Sequence, residues 1–488
     1  MIYDNVVIGS SISALGCILG LLKSKKKILC IDGSDLIDMK KIKEPNEKII
    51  YCNQQLPLKN FKFNRKSNIF FDPLDVLESK SFGGLSNIWG ANSLRFLKND
   101  FDGWPISYDI LKNYYEECEK IMMVSHFNDE ISKELKINEN NFDKSKLNLY
   151  SDFIKTFFSE KKNNTTELIS GFARIALNPN VDNCSGCFFG CDHAFNTKNY
   201  FKKLIDNKKI EYKENFVLKK FSLHDNIIEL EFDDSKKEKI LTKKLYIGAG
   251  SIQTPKIVMN SLETKMDFKI MESQYYLIPC LYLGKNFNHE FQHHTLSQAQ
   301  IVFKNSIKHK LGNVSYEVKY DQKLINLMLK KRFSLLYKLI PSFIKKRIFI
   351  ITCQINSKHS VYSAKIRKED QTFDIFENKK NKEKIKKEIK EQIKILEKEF
   401  NFLSLNFFSK LGNFGRGYHL GATIPMLDQK NINSFHEDLL YTKKNGEMTK
   451  YKNVFIIDSS NFTSIPSGSV SLTVMANALR IGSESSND

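Results

Sequence analysis

The sequence has no run of roughly 18 uncharged apolar residues, so it predicts no membrane-spanning helix. We also expect no secretory signal, because the first predicted strand begins within a few residues of Met1. Cysteine is sparse and odd in number, with nine mostly scattered residues in 488, which argues against a disulfide framework and for a reducing compartment. These absences together predict a cytoplasmic protein.

Acidic residues are too few to balance the basic ones. The chain has 56 Asp and Glu against 75 Lys and Arg, for a formal net charge of +19. Such an excess is typical of proteins that meet nucleic acid, an acidic membrane surface or a phosphorylated substrate. No DNA- or RNA-binding motif accompanies the charge, and much of it lies in lysine runs such as 23–27 and 379–390, which are usually solvated. We therefore expect no nucleic-acid partner.

The stretch from residue 3 to residue 34 has the layout of a dinucleotide site. An apolar run at Val6–Ile8 predicts a buried parallel strand, a small-residue turn at 9–14 leads into a helix, and a second apolar run ends at Asp32. A strand–turn–helix–strand unit with an acidic residue about 20 positions after the turn is typical of such sites. The helix N-terminus can then meet a pyrophosphate, and Asp32 can accept hydrogen bonds from ribose hydroxyls.

The glycine pattern of this turn is incomplete. Gly9 is present, but Ser11 and Ala14 stand where the second and third glycines usually are. An ordinary βαβ unit with small packing residues is therefore the alternative. Two later glycine segments, 83–84 and 248–250, favour the nucleotide site because each lets backbone pass close to a flat cofactor. For the second of them, strand–helix packing through glycine is the alternative.

Two segments near the C-terminus carry the candidate chemistry. Residues 415–426, GRGYHLGATIPM, contain His419, and residues 453–484 predict a strand ending at Asp458, a loop through Gly468 and a following helix. A histidine can act as a general base because its pKa lies near working pH, and His419 is the candidate base.

The N-terminal unit, GGLSNIWG at 83–90, the WPISY segment from residue 104 and these two C-terminal segments together resemble the glucose–methanol–choline oxidoreductases. The resemblance is strongest to the branch with pyranose oxidase and related bacterial sugar dehydrogenases. It implies an α/β fold in two parts. The Rossmann-type FAD-binding domain is discontinuous, and the second, α+β substrate domain is built on an antiparallel sheet. The first takes residues 1–120, 184–265 and 410–488, and the second takes 121–183 and 266–409.

The same resemblance implies a set of FAD contacts spread over the chain. They fall on Gly9, Ser11, Ala14, Asp32, Gly33, Gly83, Gly84, Ser86, Asn87, Trp89, Val217, Ala249, Gly250, Asp458, Ser459, Gly468 and Val470. Some members of the family bond a histidine covalently to the flavin where this chain has Ile88, so non-covalent FAD is implied. The segment LGKNFNHEFQHH resembles the family's G-x-N-L-x-D-H segment, which implies that Asn286 and His289 lie near the site.

The catalytic pattern is matched in part. Residues 415–426 resemble the family's H-x-x-G-T-x-x-M pattern, with His419 at the histidine and Ala422 in place of the glycine. The family usually sets a second His or Asn beside the first, and here that position is Ser469. Serine can form a hydrogen bond but cannot serve as a base near neutral pH. His419 and Ser469 are thus the candidate catalytic residues.

The activity implied by the resemblance is FAD-dependent oxidation of a CH–OH group of a sugar or polyol, by a dehydrogenase or an oxidase whose electron acceptor is unknown. The excess of basic residues favours a phosphate-bearing or lipid-linked sugar. Because Ser469 departs from the family, a flavoprotein of altered or redox-neutral chemistry is the alternative.

Two further motifs leave alternatives open. Cys184, Cys187 and Cys191 have a spacing that suits zinc or an iron–sulfur cluster, but a second cysteine pair is missing, so a packed, reduced turn is favoured and no metal is expected. Residues 324–347 mix Leu, Ile and Phe with many Lys and Arg. This stretch predicts either peripheral contact with an anionic membrane, at its inner face, or a surface helix that breaks near Pro341.

Overall fold

The computed structural model of the chain describes residues 2–34, 79, 81–87, 89–142, 144–178, 194–233, 238–262, 266–288, 297–320, 322, 325–326, 329–330, 334–428 and 440–486. The α-helices within these ranges are α1 Ile12–Leu21, α2 Tyr108–Met122, α3 Glu130–Glu134, α4 Asp152–Ser159, α5 Lys198–Asp206, α6 Gln253–Ser261, α7 Ser342–Arg347, α8 Lys379–Phe400 and α9 Ser471–Ser486. The strands are β1 Ile2–Ile8, β2 Ile28–Ile31, β3 Leu168–Phe172, β4 Glu211–Lys213, β5 Leu218–His224, β6 Ile227–Phe232, β7 Ile240–Ile247, β8 Phe268–Glu272, β9 Gln274–Tyr282, β10 Ala299–Phe303, β11 Val314–Lys319, β12 Ile348–Ile355, β13 Tyr362–Ile366, β14 Phe373–Glu377, β15 Phe402–Ser404, β16 Lys410–Leu411, β17 Leu420–Gly421 and β18 Val454–Ile456.

The first sheet is of the Rossmann type, with order β4-β2-β1-β7-β6-β5 and β18 also paired to β7. Strand β1 lies between β2 and β7 and runs parallel to both, while β5 and β6 add an antiparallel hairpin. The strand–helix–strand prediction for residues 3–34 is confirmed, because α1 joins two buried apolar strands. The carboxyl ends of β1, β2, β7 and β18 meet at one edge, where open α/β sheets bind their ligands.

Helices α1 and α9 cross in close contact beneath this sheet. A Cβ added at Gly16 would lie 2.5 Å from the carbonyl oxygen of Met475, and one at Gly20 would lie 2.5 Å from that of Leu479. Only glycine lets the backbones approach this closely. The contact fixes the C-terminal helix, and therefore the loop that precedes it, against the first helix of the nucleotide unit.

The second sheet is antiparallel, with order β15-β9-β12-β11-β10-β3 and β16 also paired to β9. One of its faces packs on α4 and α8. Phe157 stacks on Phe400 with ring centroids 4.5 Å apart, and the Tyr316 hydroxyl donates to Gln392 Oε1 at 2.7 Å. A third sheet, β14-β13-β8-β17, joins the two regions through the pairing of β8 with β17.

Several predicted boundaries are reproduced, and one differs in an informative way. Strand β18 ends at Ile456 rather than at Asp458, because Asp458 caps the short 3-10 helix Ser459–Asn461 by accepting from Ser460 N. The stretch 324–347 is broken at Pro341, which separates the 3-10 helix Ser334–Leu339 from α7. Among the described residues, no helix has both the length and the apolar character needed to cross a bilayer.

Candidate active site

The turn after β1 presents a free helix N-terminus at the sheet edge. Gly9 has φ +103°, and a Cβ there would lie 2.6 Å from the carbonyl oxygen of Gly248, so only glycine lets β1 and β7 leave the sheet side by side. Ser11 begins α1 without a side-chain cap, and the first turn contains no acidic residue. The first N–H groups of α1 therefore remain available to an anion such as a pyrophosphate.

A second loop is fastened onto this turn. Gly83 N donates to Ser10 Oγ at 2.8 Å, and Thr197 Oγ1 donates to the Ser10 carbonyl at 2.7 Å. Gly84 has φ +58°, and a Cβ there would lie 2.9 Å from Ser11 Cβ. The absence of a side chain at Gly84 thus lets this loop pack closely on Ser11.

The polar side chains predicted in this loop hold its shape. Ser86 Oγ donates to the Gly83 carbonyl at 2.6 Å, and Asn87 Nδ2 donates to the Phe82 carbonyl at 2.9 Å. Trp89 Nε1 donates to the Phe195 carbonyl at 2.7 Å. These groups position backbone near the turn, and their own donors are engaged within the protein.

The other end of the nucleotide site lies at the carboxyl end of β2. Asp32 Oδ1 accepts from Ser34 N at 3.0 Å. Burial raises the pKa of Asp32, and hydrogen bonds from Ser10 and Ser34 oppose that rise. Gly33 lies directly against Val217, since a Cβ at Gly33 would be 2.9 Å from Val217 Cγ2, and Val217 keeps 40 % of its surface exposed. This exposed apolar surface beside an acidic group suits an adenosine.

The carboxyl ends of β7 and β18 are tied together by a buried carboxylate. Asp458 Oδ2 accepts from Gly250 N at 2.9 Å and from Thr254 Oγ1 at 2.5 Å, while Oδ1 accepts from Ser460 N at 2.8 Å. Burial raises the pKa of Asp458, and these three bonds oppose the rise. Ala249 N donates to Thr254 Oγ1 at 3.1 Å. Thr254 was missed in the sequence because a threonine in a first helical turn is ordinary capping chemistry.

His419 is held between this edge and the second sheet. Its carbonyl accepts from Ser273 N at 3.1 Å, and the strand that follows it is fixed when Ser459 Oγ donates to the Leu420 carbonyl at 2.7 Å. His419 Nδ1 is buried and has no hydrogen-bond partner among the described residues. Burial lowers the pKa of His419 to about 4, with Glu317 raising it and Lys319 lowering it further. The imidazole is therefore neutral at physiological pH.

A buried polar half-face of the antiparallel sheet faces His419. Residues directly opposite one another in a ladder share a face, so Gln300, Glu317 and Thr352 lie side by side across β10, β11 and β12, with Ser315 and Gln354 beside them. Thr352 Oγ1 and Gln354 Oε1 are buried without a hydrogen-bond partner among the described residues. Unsatisfied buried polar groups are rare, and this row lies beside the histidine.

Four side chains connect this half-face to the C-terminal loop. Asn92 Nδ2 donates to Glu317 Oε1 at 2.5 Å, and Gln300 Nε2 donates to Asn92 Oδ1 at 2.5 Å. Ser469 Oγ donates to the Asn92 carbonyl at 2.5 Å. We call Asn92, Gln300, Glu317 and Ser469 the Asn92 network.

Lys319 completes the charge pattern of the site. Its Nζ lies 3.2 Å from Glu317 Oε2 and 5.9 Å from the centre of the Tyr275 ring. Burial lowers the pKa of Lys319, but the Glu317 carboxylate outweighs that effect and leaves it above its ordinary value. An ammonium and a carboxylate thus stand together beside a neutral histidine.

The sequence could not identify the half-face, although its strands were detectable. The alternation V-S-Y-E-V-K at 314–319 predicts a strand with one polar face, and such faces are usually solvated. What covers this face is the loop that contains Asn92 and the segment that contains Ser469, which are more than 140 residues away in the chain. No local pattern records that contact.

The structure brings some of the predicted site residues together at the nucleotide end and others at the Asn92 network. The rest lie elsewhere. Gly9, Ser11, Asp32, Gly33, Gly83, Gly84 and Val217 surround the nucleotide end, whereas His419 and Ser469 lie with the Asn92 network. Ala14 is buried inside α1, and Gly468 and Val470 precede α9 at its N-terminus. Asn286 accepts from Arg347 Nη2 at 2.5 Å, roughly 17 Å along β12 from Thr352, so the expectation that Asn286 lies near the site is wrong.

Other predicted residues are outside the described part of the chain. These are Ile88, His289 and the cysteines Cys184, Cys187 and Cys191. Within the described ranges, no group of three or more His, Cys, Asp or Glu side chains could hold a metal ion.

Comparison with solved structures identifies the fold. Pyridoxine 4-oxidase from Mesorbium loti superposes with a TM-score of 0.62 at 10 % sequence identity, covering 100 % of this chain and 99 % of that one. An FAD-dependent oxidoreductase from Chaetomium thermophilum gives a TM-score of 0.59 at 11 % identity, covering 98 % of both chains. The chain therefore has the fold of FAD-binding oxidoreductases, a Rossmann-type domain joined to a domain on an antiparallel sheet, and the predicted fold class is confirmed.

Comparison at the level of sequence gives no match. No protein-family model matches the chain, and no curated protein matches it.

Proposed function

We propose that the protein is an FAD-dependent oxidoreductase of the glucose–methanol–choline type that oxidises a CH–OH group of a sugar or polyol. The observation that carries the proposal is the neutral imidazole of His419, which lies between the nucleotide edge and a buried polar half-face with the Glu317–Lys319 pair. The likeness to two FAD-dependent oxidoreductases supports the same assignment.

The nucleotide edge fits FAD in three respects. The uncapped N-terminus of α1 offers N–H groups to a pyrophosphate, and Gly84 lets the second loop pack closely beside that N-terminus at Ser11. Asp32 offers carboxylate oxygens to ribose hydroxyls, and exposed Val217 offers an apolar surface to the adenine. When bound, FAD supplies the hydride acceptor of the reaction.

His419 takes the role of general base. Loss of hydride from the substrate carbon leaves a carbonyl only if the hydroxyl proton is also removed, and a neutral imidazole accepts that proton. The Glu317 carboxylate favours the imidazolium so formed, since Glu317 raises the pKa of His419. Positioned bases of this kind contribute about 10²- to 10⁴-fold to the rate.

The second hydrogen bond to the substrate hydroxyl has to be reassigned. Ser469 stands where the family sets a second His or Asn, but its hydroxyl hydrogen is already donated to the Asn92 carbonyl. Its remaining lone pairs can only accept. Lys319, whose ammonium points into the same region as His419, supplies the donor that stabilises negative charge on the substrate oxygen.

The half-face supports a substrate with several hydroxyls. Gln354 Oε1 and Thr352 Oγ1 are buried oxygens that have no hydrogen-bond partner among the described residues. Hydrogen-bonding atoms at this density match a sugar or polyol better than an apolar alcohol. The net charge of +19 favours a phosphate-bearing or lipid-linked form.

The test begins with the colour of the purified protein. We expect the visible absorption of flavin, its release into solution on denaturation, and bleaching under anaerobic conditions with one member of a panel of sugars, sugar phosphates and polyols. Pyridoxine belongs in the panel because one of the superposed structures is a pyridoxine 4-oxidase. A protein that binds no flavin would overturn the proposal, and one that binds flavin but is bleached by no alcohol would overturn the reaction.

The departure at Ser469 keeps a second candidate function, a flavoprotein of redox-neutral or altered chemistry. The two are separated by His419→Gln, which keeps a hydrogen-bonding side chain but removes the base. The oxidoreductase should lose turnover by about 10²-fold or more, whereas redox-neutral chemistry without proton abstraction should persist.

A further inference from the structure

A patch of exposed large apolar side chains lies at the far end of the antiparallel sheet. Leu339 and Phe343 are 75 % and 66 % exposed, and Leu283, Leu403 and Phe407 are 54 %, 49 % and 90 % exposed. We call these five residues the edge patch. Isolated exposed apolar residues are ordinary, but a contiguous group of this size marks an interaction surface.

Backbone pairing places part of the edge patch on one face of the sheet. Leu403 lies directly opposite Leu281 in the ladder between β15 and β9, so their side chains share a face, and Leu283 follows two residues later. Leu281 and Ile344 of α7 both pack against the buried cluster of Ile325, Ile348 and Ile350. Phe343 precedes Ile344 in α7, so α7 brings its exposed side chain to the same region of the sheet.

Arg347 anchors α7 to the same sheet edge. Its guanidinium donates to the carbonyls of Tyr282 and Gly284, the latter at 2.7 Å. The position of α7 is thus set by hydrogen bonds to the backbone on either side of Leu283. The surface keeps this shape without a partner.

The chain segment that contains Leu339 and Phe343 is basic. No Asp or Glu occurs between residues 323 and 368, and this stretch is rich in Lys and Arg. Lys338, Lys345 and Lys346 form no ion pair within the described part of the chain, and Lys345 Nζ lies 4.0 Å from the centre of the Tyr337 ring. The neighbouring Glu160 is engaged by the Tyr282 hydroxyl and by Lys285 N.

We propose that the edge patch docks on the surface of an anionic lipid bilayer. Protruding Leu and Phe side chains enter the boundary between headgroups and acyl chains, and the surrounding lysines bind anionic headgroups. A protein partner would need a complementary apolar surface with an acidic rim, whereas a bilayer supplies both features at every point. Docking of this kind is peripheral, which agrees with the short length of α7.

The edge patch is separate from the residues of the candidate active site, but both lie on the same face of the antiparallel sheet. Ile348 and Ile350 lie under α7, and Thr352 and Gln354 continue the same face of β12 toward His419. A membrane-borne substrate would approach along this face. The surface itself is tested without any substrate, so failure of the proposed oxidation leaves it standing.

Vesicle co-sedimentation of the full chain tests the proposal. Phosphatidylcholine vesicles with about 30 % phosphatidylglycerol should bind the protein, and pure phosphatidylcholine vesicles should bind it at least tenfold more weakly. Raising the salt concentration from about 0.05 M to 0.5 M should weaken binding to the anionic vesicles by a similar factor. Binding that does not change with lipid charge or with salt concentration would overturn the electrostatic part of the proposal.

Variants with matched controls locate the surface. The double variant Leu339→Ser, Phe343→Ser should weaken vesicle binding at least tenfold, because it removes apolar side chains that enter the bilayer. Both side chains are exposed, so the fold does not need them. The control is Ile110→Ser, which removes a 45 % exposed apolar side chain from α2 and should bind as the unmodified protein does.

The charges are tested in the same assay. Lys345→Gln with Lys346→Gln should weaken binding several-fold, whereas Lys386→Gln with Lys387→Gln, two exposed positions on α8, should not. Equal binding by the edge-patch variants and the unmodified chain would refute the surface. So would a dimer in sedimentation velocity that dissociates in Leu339→Ser, Phe343→Ser, because the patch would then belong to a second copy of the chain.

Discussion

The pH dependence of turnover tests the role of His419 most sharply. Burial lowers the pKa of His419 to about 4, so the neutral form that accepts a proton persists well below the range of an exposed histidine. We expect kcat/KM, which reports ionisations of the free enzyme, to stay level with respect to this group down to about pH 5. Below that it should fall with the slope of a single protonation.

Two neighbours should move this acid limb in opposite directions. Glu317 raises the pKa of His419 and Lys319 lowers it, so Glu317→Gln should shift the limb to lower pH and Lys319→Met should shift it to higher pH. A unit charge roughly 6–12 Å away contributes about 1.4–2.8 kcal/mol at an effective dielectric constant near 20, which corresponds to about 1–2 pH units. Gln at 317 keeps an oxygen that can accept from Asn92, so the network geometry is preserved.

The measurement is anaerobic flavin reduction in a stopped-flow pH jump, which avoids long exposure of the protein to acid. His419→Gln should lower the reduction rate by about 10²- to 10⁴-fold and remove the acid limb assigned to this residue. An acid limb near pH 6.5 in the unmodified protein would show that the imidazole is solvated. Identical limbs in Glu317→Gln and Lys319→Met would show that neither charge acts on His419, and the mechanism would be refuted.

Three further variants test the nucleotide edge, the buried acid and the network. Gly84→Ala should reduce the ratio of flavin to protein absorbance, because residue 84 has φ +58° and its Cβ would lie 2.9 Å from Ser11 Cβ. An unchanged ratio would contradict the placement of flavin beside this loop. Burial raises the pKa of Asp100 from 3.8 to about 6, so the folded state loses stability as pH rises through about 6. In urea titrations, the free energy of unfolding of Asp100→Asn should therefore fall less between pH 4 and pH 8 than that of the unmodified protein, although the amide nitrogen costs one of the two hydrogen bonds that Asp100 accepts from Leu97 N and Asn313 Nδ2. Ser469→Ala leaves the Asn92 carbonyl without its donor and should cost about 1–3 kcal/mol of stability, while kcat falls less than in His419→Gln.

The nucleotide unit could be predicted from sequence because its information is local. A buried strand, a small-residue turn, a helix and an acidic residue follow one another within 34 residues, and the structure reproduces each of them. The loop at 83–84 was also detectable, because paired glycines signal close backbone approach, and the structure places them against Ser10 and Ser11. Local pattern and local structure agree here.

The polar half-face and the place of Asn286 could not be predicted in the same way. Whether Glu317 faces solvent or a site depends on which distant segment covers β11, and a two-residue alternation is the same in both cases. Asn286 resembled a site residue because of its motif, yet β9 carries it to the opposite end of the sheet, where Arg347 binds it. Strand direction, which is a property of the whole sheet, decided that position.

The replacement of a second His or Asn by Ser469 is understandable once the sheet is included. A long side chain at this position could reach the substrate, but the serine hydroxyl reaches only as far as the Asn92 carbonyl. That bond fixes Asn92, which in turn holds Glu317 and Gln300, and Glu317 holds Lys319 at 3.2 Å. In the proposed mechanism, Lys319 of β11 supplies the donor to the substrate, and the C-terminal loop sets its position. Ser469→Asn should then not add to the rate while Lys319 is present, because the bond to Asn92 that positions Lys319 would be lost. In the Lys319→Met background, Ser469→Asn should recover part of the lost turnover.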